Sequence, residues 1–78
     1  MDPLDKQLIN FVLKWAPFDG PPEEDAFSEF GLNTRGVYLR AQRIIDSYRG
    51  RLEGLPDLER HMLKQAADHL SLVAPHKH

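Results

Sequence analysis

The chain has no cysteine among its 78 residues, so it can form neither a disulfide nor a cysteine-ligated metal site. This absence is typical of proteins from a reducing compartment. No apolar run approaches the ~20 residues that a membrane-spanning helix needs. The first residues also lack the basic and apolar order of a secretory signal peptide. We therefore expect one soluble, cytoplasmic domain.

Strand-like alternation, internal repeats and low-complexity segments are missing from the sequence as well. Apolar residues recur instead at helical spacing, between residues that favour helix ends. This pattern predicts an all-α domain of four helices, at about residues 3–15, 22–30, 34–48 and 56–73. The expected helix starts are Asp2-Pro3, Pro22, Asn33 or Thr34, and Pro56-Asp57, and the expected ends are Pro17 and Gly31.

Two predicted helices carry more apolar surface than one small core readily buries. Helix 1 is apolar over well more than half of its circumference, and helix 4 has a long stripe of Leu58, Met62, Ala66, Leu70 and Val73. Either surface could form the seam of a homodimer. The candidate partner-binding residues are Trp15, Leu58, Met62 and Leu70. For Trp15 and its neighbour Phe18, capping of the core is the alternative interpretation.

Charge is strongly segregated along the chain, although the net charge is only −2. Residues 1–31 hold seven acidic residues and two lysines, whereas residues 32–54 hold five arginines and two acidic residues. A basic segment of this kind is typical of a nucleic-acid-binding surface. The acidic first third opposes a phosphate backbone wherever it lies close to one.

Residues 23–45 read as a short acidic helix, a tight turn at Gly31 and a second helix that carries arginines. That order predicts a helix-turn-helix formed by helices 2 and 3. In helix 3, the residues on the predicted solvent face could read base edges in the major groove of DNA. They are Arg35, Leu39, Gln42 and Arg43, with Arg40, Arg49 and Arg51 as candidate phosphate contacts. A solvated arginine face with one stray leucine is the alternative.

The run from Phe18 to Glu24, followed by Glu29-Phe30-Gly31-Leu32-Asn33, resembles the short, poorly characterised helix-turn-helix proteins of actinobacteria and their phages. In that group an acidic helix leads into Phe-Gly, an apolar residue, a polar N-cap and an arginine-bearing helix. The resemblance covers about residues 3–48. It implies a DNA-binding fold and a regulatory role, with Phe30, Gly31 and Leu32 as the turn. It also implies that Tyr38 belongs to the reading helix, with Arg35, Leu39, Arg40, Gln42 and Arg43.

Other functional classes have weaker support in the sequence. The acidic cluster at residues 23–29 suits a helix N-terminus. His61 and His69 are eight residues apart and so diverge on a helix. The tail His76-Lys77-His78 is at most a weak metal ligand. We therefore expect no metal, no cofactor and no enzymatic activity. The rival to DNA binding is a helical module that docks on a protein partner, such as part of the transcription machinery.

Overall fold

A computed structural model describes residues 1–73, which form four α-helices. These are α1 (Pro3–Trp15), α2 (Glu23–Phe30), α3 (Thr34–Ser47) and α4 (Asp57–Val73). Short 3₁₀ turns lie at Ala16–Phe18 and Leu52–Gly54, and no strand occurs over residues 1–73. The predicted all-α class and four helices are confirmed, with every helix boundary within one residue of its expected position. The tail at residues 74–78, including His76-Lys77-His78, lies outside the described residues.

Capping side chains and a left-handed glycine set the helix ends at the positions that the sequence predicts. The Asp2 carboxylate accepts a hydrogen bond from the backbone N–H of Leu4 at 3.3 Å. The Asn33 side chain accepts from the N–H of Gly36 at 2.7 Å, so Asn33 is the N-cap of α3. Gly31 ends α2 in the left-handed conformation, with φ of 69°. Each cap satisfies a backbone group that the first or last helical turn leaves without a partner.

Helix α1 is the centre of the core, because it packs on both α3 and α4. Leu8, Ile9, Phe11 and Val12 are all buried. Helices α3 and α4 therefore cover different parts of the broad apolar face of α1 within one chain. Much of the apolar surface that suggested a dimer through this helix is thus used within the chain, although Leu4 remains 64% exposed.

The predicted apolar stripe of α4 is wrong at its two ends. Met62 and Leu70 are only 6% and 2% exposed and pack into the core, so they cannot present a surface to a partner. Leu58, by contrast, is 67% exposed. Successive steps of four residues drift by about 40° around a helix, which turns Leu58 away from the face of Met62 and places Glu59 there. Val73 is also exposed, because it lies at the end of the helix.

Helix α2 is short and packs on α3. Ala26 is buried, and the ring of Phe30 meets the ring of Phe11 edge-on, with centroids 5.1 Å apart. Phe27, the third apolar residue of α2, lies outside this buried face, since its side chain is 69% exposed. Within residues 1–73, no helix is long and apolar enough to cross a membrane.

Glu59 joins the start of the chain to α4. Its carboxylate accepts a hydrogen bond from the amino group of Met1 at 2.7 Å, and Lys6 Nζ lies 3.6 Å from the second oxygen. The side chain is only 12% exposed. The hydrogen bond from the amino group, reinforced by the charges of that group and of Lys6, holds the pKa of Glu59 below its ordinary 4.5 despite desolvation.

Acid should therefore remove the contribution of Glu59 to stability. Because the folded-state pKa is lowered, the ionised carboxylate stabilises the fold above about pH 4.5, and this contribution is lost as the pH falls through the folded pKa. Glu59→Gln should lower the Tm at neutral pH, and its difference from wild type should shrink well below pH 4.5. Thermal unfolding followed by circular dichroism measures this. Glu24→Gln, at an exposed position, is the control, and a pH-independent difference for Glu59→Gln contradicts the prediction.

The turn after α1 also depends on glycine. Gly20 has φ of 100°, and a Cβ there would collide with the hydroxyl of Tyr38 on α3. Gly31 has φ of 69° but nothing within 4 Å of a Cβ. Gly31→Ala should therefore cost about 1 kcal/mol from backbone conformation alone. Gly20→Ala should cost about 2–4 kcal/mol, since overpacking is added. Urea unfolding measures the free energy of unfolding of both variants. Equal losses for Gly20→Ala and Gly31→Ala would mean that Gly20 is not packed against Tyr38.

Candidate nucleic-acid interface

Helices α2 and α3 are joined by the three residues Gly31–Asn33, the connectivity predicted for a helix-turn-helix. A second connection fixes the pair. The Glu23 carboxylate accepts a hydrogen bond from the N–H of Thr34 at 3.1 Å, and the Thr34 hydroxyl donates to the carbonyl of Pro21 at 2.8 Å. The first turn of α3 is therefore held by the segment that begins α2.

One side of α3 faces the core and the other faces solvent. Val37, Ala41, Ile44 and Ile45 are buried. On the opposite side Leu39 is 58% exposed. The exposed polar residues of that side are Arg35, Arg40, Gln42 and Arg43. The structure thus brings together all the residues predicted for the reading face of helix 3.

The arginines in and after α3 divide into two groups. Within residues 1–73, Arg35, Arg40 and Arg43 make no ion pair and no side-chain hydrogen bond. Arg49 pairs with Asp46 at 3.0 Å. Arg51 donates to the carbonyl of Ser47 at 2.7 Å and lies 5.1 Å from the centre of the Tyr48 ring. Arg49 and Arg51 are therefore held close to the end of α3 by exposed contacts, and both remain at the surface.

Leu39 and Gln42 stand between two hollows in the surface. One, of about 430 Å³, is also lined by Leu32, Gly36, Arg40, Arg43 and Asp46. The other, of about 620 Å³, is also lined by Glu23, Thr34, Arg35, Tyr38, Leu70 and Val73. The solvent side of α3 is accordingly a ridge, a shape that suits entry into a groove. Arg35 and Arg43 lie on opposite sides of that ridge, each beside one of the two hollows.

Asp46 is a member of this face that the sequence analysis missed. It lines the hollow beside Arg43, and its Oδ1 accepts hydrogen bonds from Gln42 Nε2 at 3.1 Å and Arg49 Nη2 at 3.0 Å. The spacing offers the signal, because Asp46 follows Gln42 by four residues and precedes Arg49 by three. A carboxylate therefore sits among the arginines that were predicted to meet DNA.

Tyr38 is not free to read DNA as the resemblance implied. Its hydroxyl lies 3.2 Å from Nε2 of His69 on α4, and the backbone of Gly20 packs against it. Burial raises the pKa of Tyr38 above 10.0, and the charge of Asp19 adds to the rise. Tyr38 therefore connects α3 to α4. His69 is half-buried at the edge of the core. No cluster of potential metal ligands occurs in residues 1–73.

The Trp15 side chain packs within the protein more than it contributes to a partner-binding surface. Its ring packs partly against the core and meets Phe18 edge-on, with centroids 5.8 Å apart. Its indole nitrogen is enclosed and has no acceptor among the described residues. Capping of the core is therefore the better interpretation of Trp15. Of the four residues predicted to bind a partner, Leu58 is the one left exposed.

Comparisons with protein-family models, curated proteins and solved structures give no match to this chain. The solvent face of α3 and its chemistry are therefore the basis for a functional proposal.

The position of Tyr38 can be tested by removing its hydroxyl. Tyr38→Phe should lower the free energy of unfolding by about 1 kcal/mol, because the contact with His69 is lost. In protein that already carries His69→Ala, Tyr38→Phe should cost much less of the free energy of unfolding. Urea unfolding of the two single variants and the double variant measures the coupling. Additive losses would show that the Tyr38 hydroxyl and His69 do not interact.

Proposed function

We propose that this chain is a small cytoplasmic DNA-binding protein with a regulatory role in transcription, and that α3 reads duplex DNA. The observation that carries the proposal is the ridge of α3, where Arg35 and Arg43 lie exposed on either side of Leu39 and Gln42, with no partner among residues 1–73. The helix follows a three-residue turn with a left-handed glycine. The proposal agrees with the resemblance to short helix-turn-helix proteins of actinobacteria and their phages.

Each residue of the ridge has a defined chemistry toward a base edge. Arg35 and Arg43 can each donate two hydrogen bonds to the O6 and N7 atoms of guanine. Leu39, between them, can contact a thymine methyl group. Arg40, further around the helix, can pair with a phosphate. With 14 residues, α3 is about 21 Å long, enough to cross a major groove about 12 Å wide.

Electrostatics limit the affinity that one copy can reach. Three arginines, Arg40, Arg49 and Arg51, are the proposed phosphate contacts, so log K should fall with log salt at a slope of about −3. Glu23 and the other acidic residues at the start of α2 lie near the start of α3 and repel phosphate. A single module should therefore bind weakly, and two copies on a symmetric site would bind more tightly.

The exposed Leu39 also favours the second candidate function, a module that docks on a protein of the transcription machinery. Leu39 borders the hollow that Leu70 and Val73 line, so the ridge continues into apolar surface. Salt separates the two functions. Phosphate contacts make affinity fall steeply with salt, whereas an apolar docking surface is much less sensitive.

Substitution of single arginines tests DNA binding directly. Arg43→Ala should weaken binding to a selected site by about 1–3 kcal/mol more than binding to random duplex, because a base contact is lost. Arg49→Ala should weaken both alike and reduce the salt slope by about 1. Fluorescence anisotropy with labelled duplexes at several salt concentrations measures these effects.

Lys14→Ala is the matched control, since it removes one positive charge from an exposed position on α1. It should leave both affinities close to those of wild type. If wild-type protein binds no duplex even at low salt, where phosphate contacts are strongest, the DNA-binding proposal is wrong. The docking function then becomes the better explanation of the ridge.

A further inference from the structure

The hydrogen-bonded pair of Gln42 and Asp46 divides the solvent face of α3 into groups that donate hydrogen bonds and groups that accept them. The Gln42 carboxamide gives a hydrogen from Nε2 to Asp46 Oδ1, the only direction possible with an ionised carboxylate. Within residues 1–73, Gln42 Oε1 and Asp46 Oδ2 have no hydrogen-bond donor. Both oxygens are thus free acceptors, next to Arg43, which can only donate.

The position of Asp46 is not explained by the stability of the helix. It is the second-last residue of α3, where the negative end of the helix dipole disfavours a carboxylate. Its ion pair with Arg49 is highly exposed, with side-chain exposures of 55% and 73%, and such pairs stabilise little. A carboxylate at this place also lowers the attraction of α3 for phosphate. A role in selecting a ligand accounts for both features.

Donor and acceptor patterns distinguish bases in the major groove. Cytosine N4 and adenine N6 donate hydrogen bonds there, whereas guanine O6 and N7 and thymine O4 accept them. The oxygens of Gln42 and Asp46 can bind the amino groups, and they repel the acceptor edges of guanine and thymine. Arg43, one turn or less away on the helix, has the opposite preference.

We infer that Asp46, with Gln42, makes α3 select duplex sites that present an exocyclic amino group, of cytosine or adenine, beside the guanine read by Arg43. The inference rests on the proposed DNA binding and adds the chemistry that the site must offer. Asp46 acts both as an acceptor and as a positioning residue, since it fixes the Gln42 carboxamide. It also disfavours binding to DNA that lacks the amino group.

The variant Asp46→Ala tests this role because it removes the acceptor, and Asp68→Ala on α4 is the matched control for the loss of one negative charge. Sites are first selected from random duplexes with wild-type protein. One position should be restricted to cytosine or adenine. In Asp46→Ala that preference should fall about tenfold, and affinity for random duplex should rise. Asp68→Ala should keep the wild-type preference.

Two further measurements make the outcome specific. Replacing adenine by 2-aminopurine, or cytosine by a pyrimidinone without the amino group, shows which base supplies the contact. Thermal unfolding of Asp46→Ala should show a Tm no lower than that of wild type, which excludes a damaged helix. An unchanged base preference in Asp46→Ala, with wild-type protein binding duplex normally, refutes this inference alone. No duplex binding by wild type at low salt refutes it together with the proposed function.

Discussion

The burial of α1 between α3 and α4 is the constraint on which the rest of the molecule depends. Ile9 and Val12 of α1 and Val37 of α3 are fully buried, and each such side chain contributes about 1.5–3 kcal/mol when it leaves water. A domain of this size has few such side chains to use. The contact of α1 with two helices fixes which side of each of them faces inward.

The solvent face of α3 follows from that constraint. Because Val37, Ala41 and Ile44 must meet α1 and α4, the residues on the opposite side are forced outward. The caps at Gly31 and Asn33 then fix where the helix begins, and the bonds of Glu23 and Thr34 hold its first turn. A helix whose outer face is fixed by packing and capping suits the proposed groove binding, since base contacts need fixed geometry.

Under the proposed DNA binding, the charge on this face favours selection over strong attraction. Within residues 1–73, Arg35 and Arg43 are unpaired, yet Asp46 lies among them, and Arg49 and Arg51 are bonded to the end of α3. Non-specific DNA binding depends on the number of cations that reach phosphates. A face with few free cations and one carboxylate should therefore bind weakly to random sequence. Such an arrangement suits a protein whose specificity comes from base edges.

The sequence by itself determined the local structure. Helical spacing, the N-caps at Asp2 and Asn33 and the left-handed Gly31 depend on neighbouring residues, so the four helices and their bounds could be read from the chain. The outer face of α3 was also predictable, because its inner positions are uniformly apolar. These are short-range effects, which a single sequence expresses fully.

Tertiary structure decided the features that depend on which helices meet. Helix α1 looked too apolar for one chain until α3 and α4 covered two of its sides. Met62 and Leu70 looked like a partner surface, but both are buried in the core. Tyr38 was drawn inward by Gly20 and His69, which lie 18 and 31 residues away in sequence. The pairing of Asp46 with Gln42 depends on side-chain rotamers. Packing and side-chain geometry of this kind arise between distant or exposed groups, and periodicity along the chain carries no record of them.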